Sequence, residues 1–465
     1  MMYDVCVDVS TNKINTHHLL SRMNRTNMLC KTWIFLTQIL LVNGFFIVPR
    51  KSIESKFISR RNHSYFASRG GDNALETAQD YRRKGSPNEA VSVLTRFLKE
   101  DDLSLSDLVK VHYQIASAYD EMGRVEESVC AFQKVIDLEN QLPSNNLTQS
   151  SNTLISQANV LLDGLGTRET SYEVFKRADH PGPSSLLAGM TADSLGLHGE
   201  ARNYYQNALI YQPYNVDAII GMISNYKRFG CRDEKEMIMN EKLQRHVPSD
   251  ALSSLNYALT QNITNSEYLH YFTYDMIQLG LRNVAIPDGL VLEFGVYYGK
   301  TLKMISSYFE KLNSSQIVHG FDTFDGLPQD WRGTKAGSYS TEGILPNVGR
   351  NVRYHVGLFS DCVKRFLSEL RHDEITEDKK EKSAVAFLNI DCDLYSSTMD
   401  VLLPLAEEGR IVPGTVIMFD EYIMNPRWQD DEFKAFQEVA HMYGWKYEYI
   451  AFSIVTGQAI IKILS

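Results

Sequence analysis

Five acidic side chains follow three short apolar runs in the second half of the sequence. Asp322 follows the first run, Asp391 and Asp393 the second, and Asp420 and Glu421 the third. Carboxylates gathered at neighbouring strand ends raise one another's pKa values, and a hard divalent cation such as Mg²⁺ binds such oxygen ligands. A single acid, Asp393 above all, can instead cap the helix that follows it. Asp322 can accept both hydroxyls of a ribose, and the other four acids as a set favour a metal site.

The stretch Val291–Thr301 opens with another apolar run, which contains Glu293. A turn with two glycines, Gly295 and Gly299, follows that run. The order predicts a strand, a tight turn and a helix, and glycine lets a ligand approach the backbone closely. A phosphate-binding P-loop needs four residues between its glycines, and the dinucleotide pattern G-x-G-x-x-G is absent. The spacing resembles the first motif of class I S-adenosylmethionine (SAM) methyltransferases, although two glycines after a buried strand can also be purely structural.

The segments between these motifs predict the framework that must position them. The predicted strands are Val291–Phe294, Ile317–Phe321, Tyr354–Val356, Ala384–Ile390 and Thr415–Phe419. The predicted helices are Thr301–Leu312, Ser360–Arg371, Ser397–Glu408 and Glu432–Tyr443. Such alternation predicts a parallel sheet with helices on both faces. Tyr447–Phe452 and Gln458–Ile463 are expected to close the sheet as a hairpin.

Three segments together resemble the macrocin O-methyltransferase (TylF-type) family: Phe321–Pro328, Asn389–Thr398 and Phe419–Tyr422. The resemblance extends from about Ser253 to Ile463. It implies a Rossmann-like class I α/β fold, SAM as methyl donor, and magnesium-assisted transfer to a hydroxyl group of a small molecule or sugar-containing metabolite.

The same resemblance assigns roles to individual positions. The cofactor-binding residues it implies are Glu293, Gly295, Tyr297, Gly299 and Asp322. The metal ligands it implies are Asp391, Asp420 and Glu421. The chain departs from the family where Glu421 replaces an Asp, where Cys392 replaces a common Gly, and where Lys300-Thr301 replaces a Gly-rich or Ser-rich continuation.

The general base is less well defined by the sequence. Catalytic residues are expected among Asp391, Asp393 and His355, with Tyr395 as a further candidate base. His355 lies in a predicted strand, where a packed histidine is the alternative. The stretch Trp331–Asn351, rich in Gly and Ser, is either a lid over the acceptor or a solvated surface loop.

Residues 72–247 show helical periodicity that is similar to tetratricopeptide repeats. Gly85, Gly123, Gly166, Gly196 and Gly230 mark the predicted turns, and the last two are 34 residues apart, the length of that repeat. An unrelated helical bundle is the alternative. Such an array offers a surface to a protein partner, to a second copy of the chain or to its neighbouring domain. The methyltransferase domain is then expected over residues 250–465.

The first 70 residues have the composition of a targeting leader. They hold ten Lys and Arg against three Asp and Glu, a net charge of +7 within a chain of net charge −10. The apolar run Trp33–Val48 is short for a membrane span and, with the Arg/Ser-rich stretch after it, suggests a plastid or secretory presequence. A disordered leader and a membrane anchor are the alternatives, and a cytoplasmic location follows if the leader is no signal.

The charge balance also narrows the classes of function. The chain after the leader is strongly acidic. This argues against a nucleic-acid partner, because binding to nucleic-acid phosphates needs clustered Lys and Arg. None of the six cysteines has metal-ligand spacing. The competing functions are a non-catalytic repeat scaffold with a degenerate methyltransferase fold, and an enzyme that uses the same fold for another reaction.

Overall fold

A computed structural model describes residues 71–83, 86–99, 103–142, 147–177, 181–261, 269, 272–373 and 383–465. These residues all belong to one compact unit. The predicted leader and the predicted turn at Gly85 lie outside the described residues. No helix in the described ranges is long and apolar enough to cross a membrane.

The first part of the unit is helical throughout its described residues. Its helices are α1 Gly71–Arg83, α2 Pro87–Phe97, α3 Leu105–Glu121, α4 Val125–Glu139, α5 Leu147–Leu165, α6 Arg168–Arg177, α7 Pro181–Ser194, α8 His198–Tyr211, α9 Val216–Phe229, α10 Glu234–Gln244 and α11 Ser249–Thr260. The predicted turn glycines Gly123, Gly166, Gly196 and Gly230 all have positive φ, a conformation that glycine adopts without steric cost.

Small residues let these helices approach each other closely. The ring of Tyr205 in α8 is fully buried. A β-carbon on Gly189 or on Gly221 would lie within 2.7 Å or 2.5 Å of that ring. Two neighbouring helices, α7 and α9, therefore contact the same aromatic side chain only because glycine leaves the space, as the predicted pattern of small and large residues requires.

The second part is a seven-stranded sheet flanked by helices. Its strands are β1 Leu290–Phe294, β2 Val318–Asp322, β3 Val352–Val356, β4 Val385–Ile390, β5 Val416–Phe419, β6 Tyr447–Phe452 and β7 Ala459–Ile463. Its helices are α12 Thr273–Arg282, α13 Lys300–Lys311, α14 Phe359–Asp373, α15 Tyr395–Glu407 and α16 Glu432–Tyr443.

The strand order is β3-β2-β1-β4-β5-β7-β6. Strands β1 to β5 pair in parallel, and β7 is antiparallel to both of its neighbours. The predicted closing hairpin is therefore confirmed, and the sheet as a whole is mixed. The predicted strands are correct to within two residues, and the shift of β2 makes Asp322 its last residue.

Alternating side chains of the strands pack into two apolar layers. On one face, Met276 of α12 and Leu302 of α13 share a core with Val291, Val318 and Val416, among others. On the other face, Phe366 of α14 and Phe436 of α16 contact the rings of Phe321 and Phe419. Burial on both faces explains the nearly continuous apolar character of the central strands.

Candidate active site

A cavity of about 1690 Å³ lies at the carboxyl ends of the parallel strands. The predicted residues that line it are Gly295, Tyr297, Asp322, Asp391, Asp393, Asp420 and Glu421. The strand order reverses between β1 and β4, which is where open α/β sheets bind ligands. The structure thus brings most of the predicted cofactor and metal residues to one cavity, and Glu293, Gly299 and His355 are not among its described lining residues.

Gly295 lies where the ends of β1, β2 and β4 approach each other closely. Its N–H donates to the Phe321 carbonyl at 3.0 Å, and the Asp391 N–H donates to the Phe294 carbonyl at 2.8 Å. A β-carbon on Gly295 would lie 1.9 Å from the Asp391 carbonyl oxygen. Its φ is 91°, so neither the space nor the backbone conformation suits another residue.

The carboxylate of Asp322 holds the glycine turn. Its Oδ2 accepts the N–H groups of Val296 and Tyr297, each at 2.8 Å, and its Oδ1 accepts the Phe324 N–H at 2.8 Å. A carboxylate offers about four lone-pair positions, two on each oxygen, so one position for a hydroxyl donor is left, on Oδ1. Asp322 therefore fixes the turn as well as facing the cavity.

Glu293 is fully buried beneath the turn. Its Oε1 accepts the Thr301 hydroxyl at 2.9 Å, and its Oε2 accepts the Asn389 amide at 3.3 Å. Burial raises the pKa of this carboxyl to about 8, although both hydrogen bonds oppose the shift. The structure therefore places Glu293 where it joins β1, β4 and α13. Gly299 is the N-cap of α13, with φ 74°.

The predicted metal ligands have other partners in this structure. Asp420 Oδ1 accepts the Gln458 amide at 2.6 Å. Glu421 Oε2 lies 3.6 Å from the Arg332 guanidinium, which also lies 2.8 Å from Asp431. Across the part of the chain that the structure describes, no group of three or more His, Cys, Asp or Glu residues is arranged to hold a metal ion.

A buried carboxylate that the sequence did not reveal joins the two acidic strand ends. Glu432 is fully buried, and its two oxygens accept the N–H groups of Cys392 and Glu421, each at 3.1 Å. Burial first, and then the charge of Asp391, raises the pKa of this carboxyl well above its usual value. An acid in the first turn of a helix is ordinarily explained by the helix dipole, so sequence alone gave no signal for this role.

The candidate bases occupy different surroundings. His355 shares a hydrogen bond of 2.9 Å with His319 and stacks on Phe321 with ring centroids 4.4 Å apart. This is the packed arrangement, on the sheet face that α14 covers, and it gives the predicted catalytic role of His355 no support. Burial lowers its pKa to about 4. Tyr395 donates to Glu438 at 2.5 Å on the protein surface.

Asp393 keeps its place as a candidate base because it lines the cavity. Its φ of 60° is in the left-handed region, a conformation that a short polar side chain tolerates better than most. Leu394, and not Asp393, occupies the N-cap position of α15. The capping alternative for Asp393 therefore does not match the observed helix start.

The loop from Trp331 to Asn351 is tied to the strand ends. The buried Trp331 indole donates to Asp431 at 3.2 Å. The N–H groups of Thr341 and Gly343 donate to the Phe324 carbonyl at 3.0 Å and 3.1 Å. Residues at the start of this loop line the cavity, so it forms one of the walls.

Comparison with known proteins agrees with this geometry. Residues 274–443 match the macrocin O-methyltransferase (TylF) family model. The chain carries a TylF-type methyltransferase domain. It is a SAM-dependent O-methyltransferase, and residues 109–142 match a tetratricopeptide repeat. No curated protein matches the chain significantly.

Solved structures similar to this chain include two methyltransferases and MamA. The calicheamicin methyltransferase CalS11 is 17% identical with a TM-score of 0.32, over 52% of this chain and 91% of that one. The O-methyltransferase NovP is 19% identical with a TM-score of 0.31, over 42% and 81%. MamA from Desulfovibrio magneticus RS-1 is 18% identical with a TM-score of 0.29, over 38% and 95%, respectively.

Proposed function

We propose that the chain transfers the methyl group of SAM to a hydroxyl of a small or sugar-containing metabolite, assisted by Mg²⁺, on a Rossmann-like class I domain. One observation carries the proposal. The acidic ends of β4 and β5 line the same cavity as the Gly295 turn and Asp322. Donor and acceptor sites can thus share one cavity, and the alignment of reactants contributes much of such a reaction's acceleration.

The donor side of the cavity suits SAM. Gly295 leaves room for a ligand to lie against the backbone, and Tyr297 follows it along the cavity wall. Asp322 retains one lone-pair position on Oδ1 for a ribose hydroxyl, while its other three positions hold the turn. Eleven acidic residues line the described cavity against four basic ones, Arg82, Arg83, Lys300 and Lys335. A sulfonium cation is favoured by such a field.

For the acceptor side we propose a hard divalent cation. Asp391, Asp420 and Glu421 offer only oxygen ligands, the donor set that Mg²⁺ prefers. After burial, the charges of Asp391, Asp420 and Glu421 contribute to raising the pKa of Glu432, and a cation bound among those three carboxylates would offset their mutual repulsion. When bound, Mg²⁺ supplies a lower pKa to the acceptor hydroxyl. Asp393 then lies at the cavity wall to accept the proton.

The same charge balance bears on the acceptor. A cavity with this excess of carboxylates repels polyphosphates and other anions. The acceptor that fits best is therefore an uncharged or cationic polyhydroxyl compound. We propose in addition that the repeats bind a protein partner or a second copy of the chain, because stacked helical repeats present an extended surface.

Calorimetric titration of SAM into the full-length chain tests the proposal, in Mg²⁺ and in EDTA. We expect micromolar SAM binding, and saturable Mg²⁺ binding that the Asp391→Asn/Asp420→Asn variant loses. Asp430→Asn, on an exposed acid paired with Arg427, is the matched control and retains both. Transfer of labelled methyl to a panel of neutral, cationic and anionic hydroxyl compounds then ranks the acceptors. Failure of the wild-type chain to bind SAM in any condition would overturn the proposed function.

A further inference from the structure

The residue after the glycine turn is held by the helical repeats. Lys300 is the first residue of α13, and its ammonium lies 3.4 Å from Asp120 and in direct contact with Asp163. The side chain is 18% exposed, and those of the two aspartates are 35% and 31% exposed. Partial burial makes such pairs less sensitive to solvent screening than surface ion pairs.

The two aspartates occupy equivalent positions in successive repeats. Asp120 lies three residues before the turn glycine Gly123, and Asp163 lies three residues before the turn glycine Gly166. They come from the last turns of α3 and α5. One lysine of the methyltransferase domain is thus bound by the same position of two neighbouring repeat units.

The turn glycines themselves contact the methyltransferase domain. A β-carbon on Gly123 would lie 2.6 Å from the Lys300 α-carbon, and one on Gly166 would lie 2.5 Å from the Tyr274 ring. Arg168, just after the second turn, lies 3.5 Å from Asp275 of α12. The repeat turns are therefore packed against the backbone and side chains that begin α12 and α13.

The first described repeat contacts the same segment. Asn88 of α2 hydrogen-bonds the Tyr298 hydroxyl, and burial followed by the charge of Glu89 raises the pKa of this tyrosine to about 12. Tyr298 immediately precedes Gly299 in the turn. The segment that runs from the glycine turn into α13 is thus in contact with helices of three repeats.

The position of Lys300 is electrostatically unusual. The N-terminus of a helix carries a partial positive charge, which disfavours a cation at the first helical position. Asp120 and Asp163 supply the opposing charge. The lysine also departs from the Gly-rich or Ser-rich residues expected at this point of the motif. Charge and packing together indicate that the repeats determine where the turn lies.

We propose that Lys300 is a positioning residue for SAM, through which the helical repeats hold the cofactor turn in its binding conformation. This inference rests on the proposed function, and it adds a regulatory consequence. SAM binding orders the repeat turns, and by reciprocity any ligand that alters those turns changes the affinity for SAM. The cavity supports the link, since it is lined by Asp120 and Asp163 on one side and by the SAM turn on the other.

Calorimetric SAM titration of full-length variants tests the positioning role. We expect Lys300→Met to weaken SAM binding at least tenfold and Lys300→Arg to stay within threefold of wild type. The charge-balanced variant Lys300→Met/Asp120→Asn/Asp163→Asn avoids unpaired aspartates, and it too should bind at least tenfold more weakly. Lys311→Met, at the exposed far end of the same helix, is the matched control and should bind as wild type does.

Hydrogen–deuterium exchange gives a readout that a merely structural role would not change. In the wild-type chain, saturating SAM should slow exchange at residues 118–124 and 161–167, and the charge-balanced variant should lose this response. SAM binding at wild-type affinity in the charge-balanced variant, or no SAM-dependent protection of the wild-type repeats, overturns this inference alone. Absence of SAM binding in the wild type overturns the proposed function together with it.

Discussion

Gly295 and Asp391 are so close that a β-carbon on the glycine would lie 1.9 Å from the aspartate carbonyl oxygen. The contact joins the end of β1 to the end of β4, and it sets the distance between the predicted SAM turn and the first predicted metal ligand. Any side chain at Gly295 must separate the two strand ends.

Gly295→Ala should therefore abolish SAM binding and destabilise the protein by roughly 3 kcal/mol or more, in the long tail of mutational effects. Urea unfolding and calorimetric titration measure the two effects. Gly409→Ala is the control, because Gly409 has a positive φ and a β-carbon there would meet nothing within 4 Å, so the change should cost only about 1 kcal/mol. Equal effects of the two changes would show that backbone strain alone, and not the contact with Asp391, is responsible.

Glu432→Gln should loosen the connection between the acidic strand ends. The carboxylate accepts an N–H on each oxygen, whereas an amide would set its own NH₂ against one of these donors. We expect a loss of about 1–3 kcal/mol in unfolding free energy, together with weaker Mg²⁺ binding. Glu448→Gln, on an exposed residue of β6, should change neither quantity. Wild-type stability in Glu432→Gln would mean that the carboxyl is not needed as a double acceptor.

Arg332→Gln should strengthen Mg²⁺ binding. The guanidinium lies 3.6 Å from Glu421, so it competes with any cation for that carboxylate. Removing a positive charge this close to Glu421 should raise the affinity for Mg²⁺ by roughly tenfold. Titration with Mg²⁺ measures the gain, and the gain should disappear in an Arg332→Gln/Glu421→Gln double variant. A gain that persists without Glu421 would argue that this residue is not a metal ligand.

His355→Phe should leave SAM binding intact and make the fold more resistant to acid. Burial lowers the pKa of His355 to about 4 and that of His319 to about 3, below the ordinary value of about 6.5. Between the ordinary pKa of about 6.5 and these lowered values, the folded state binds fewer protons than the unfolded state. The free energy of unfolding therefore falls as the pH falls through that range. Replacing His355 should remove part of this loss of stability at low pH.

Unfolding midpoints in urea at pH 7 and pH 5 test this prediction, and the difference between the two should shrink in the variant. His372→Phe, near the end of α14 on an exposed position, should keep the wild-type difference. Loss of methyl transfer in His355→Phe, with SAM binding and stability preserved, would restore the catalytic role that the packing does not support.

Most of the fold can be predicted from local sequence patterns. Apolar runs such as Ala384–Ile390 predicted strands because both faces of the central sheet are buried, and turn glycines predicted the repeat boundaries because they need positive φ. Asp391, Asp420 and Glu421 are expected to lie together because carboxyl ends of parallel strands share one edge of the sheet, and all three line the cavity; their role as metal ligands stays a prediction.

What the sequence did not reveal depends on pairings across long separations. Glu432 contacts the backbone of Cys392, 40 residues earlier, and Lys300 contacts Asp163, 137 residues earlier. Neither pairing produces a periodic sequence pattern near either residue. The packing of His355 similarly depends on its strand neighbour His319, 36 residues away, which only the pairing of β2 with β3 brings beside it.

The shared geometry of Asp120-Gly123 and Asp163-Gly166 limits how freely the two halves of the chain can be recombined. An acid and a glycine three residues apart must both be present, in two consecutive units, for the array to fit against α13. A chimaera that exchanges these units for those of another repeat protein would need to carry over both pairs. The helical half is accordingly a component of the enzyme, and not an interchangeable adaptor.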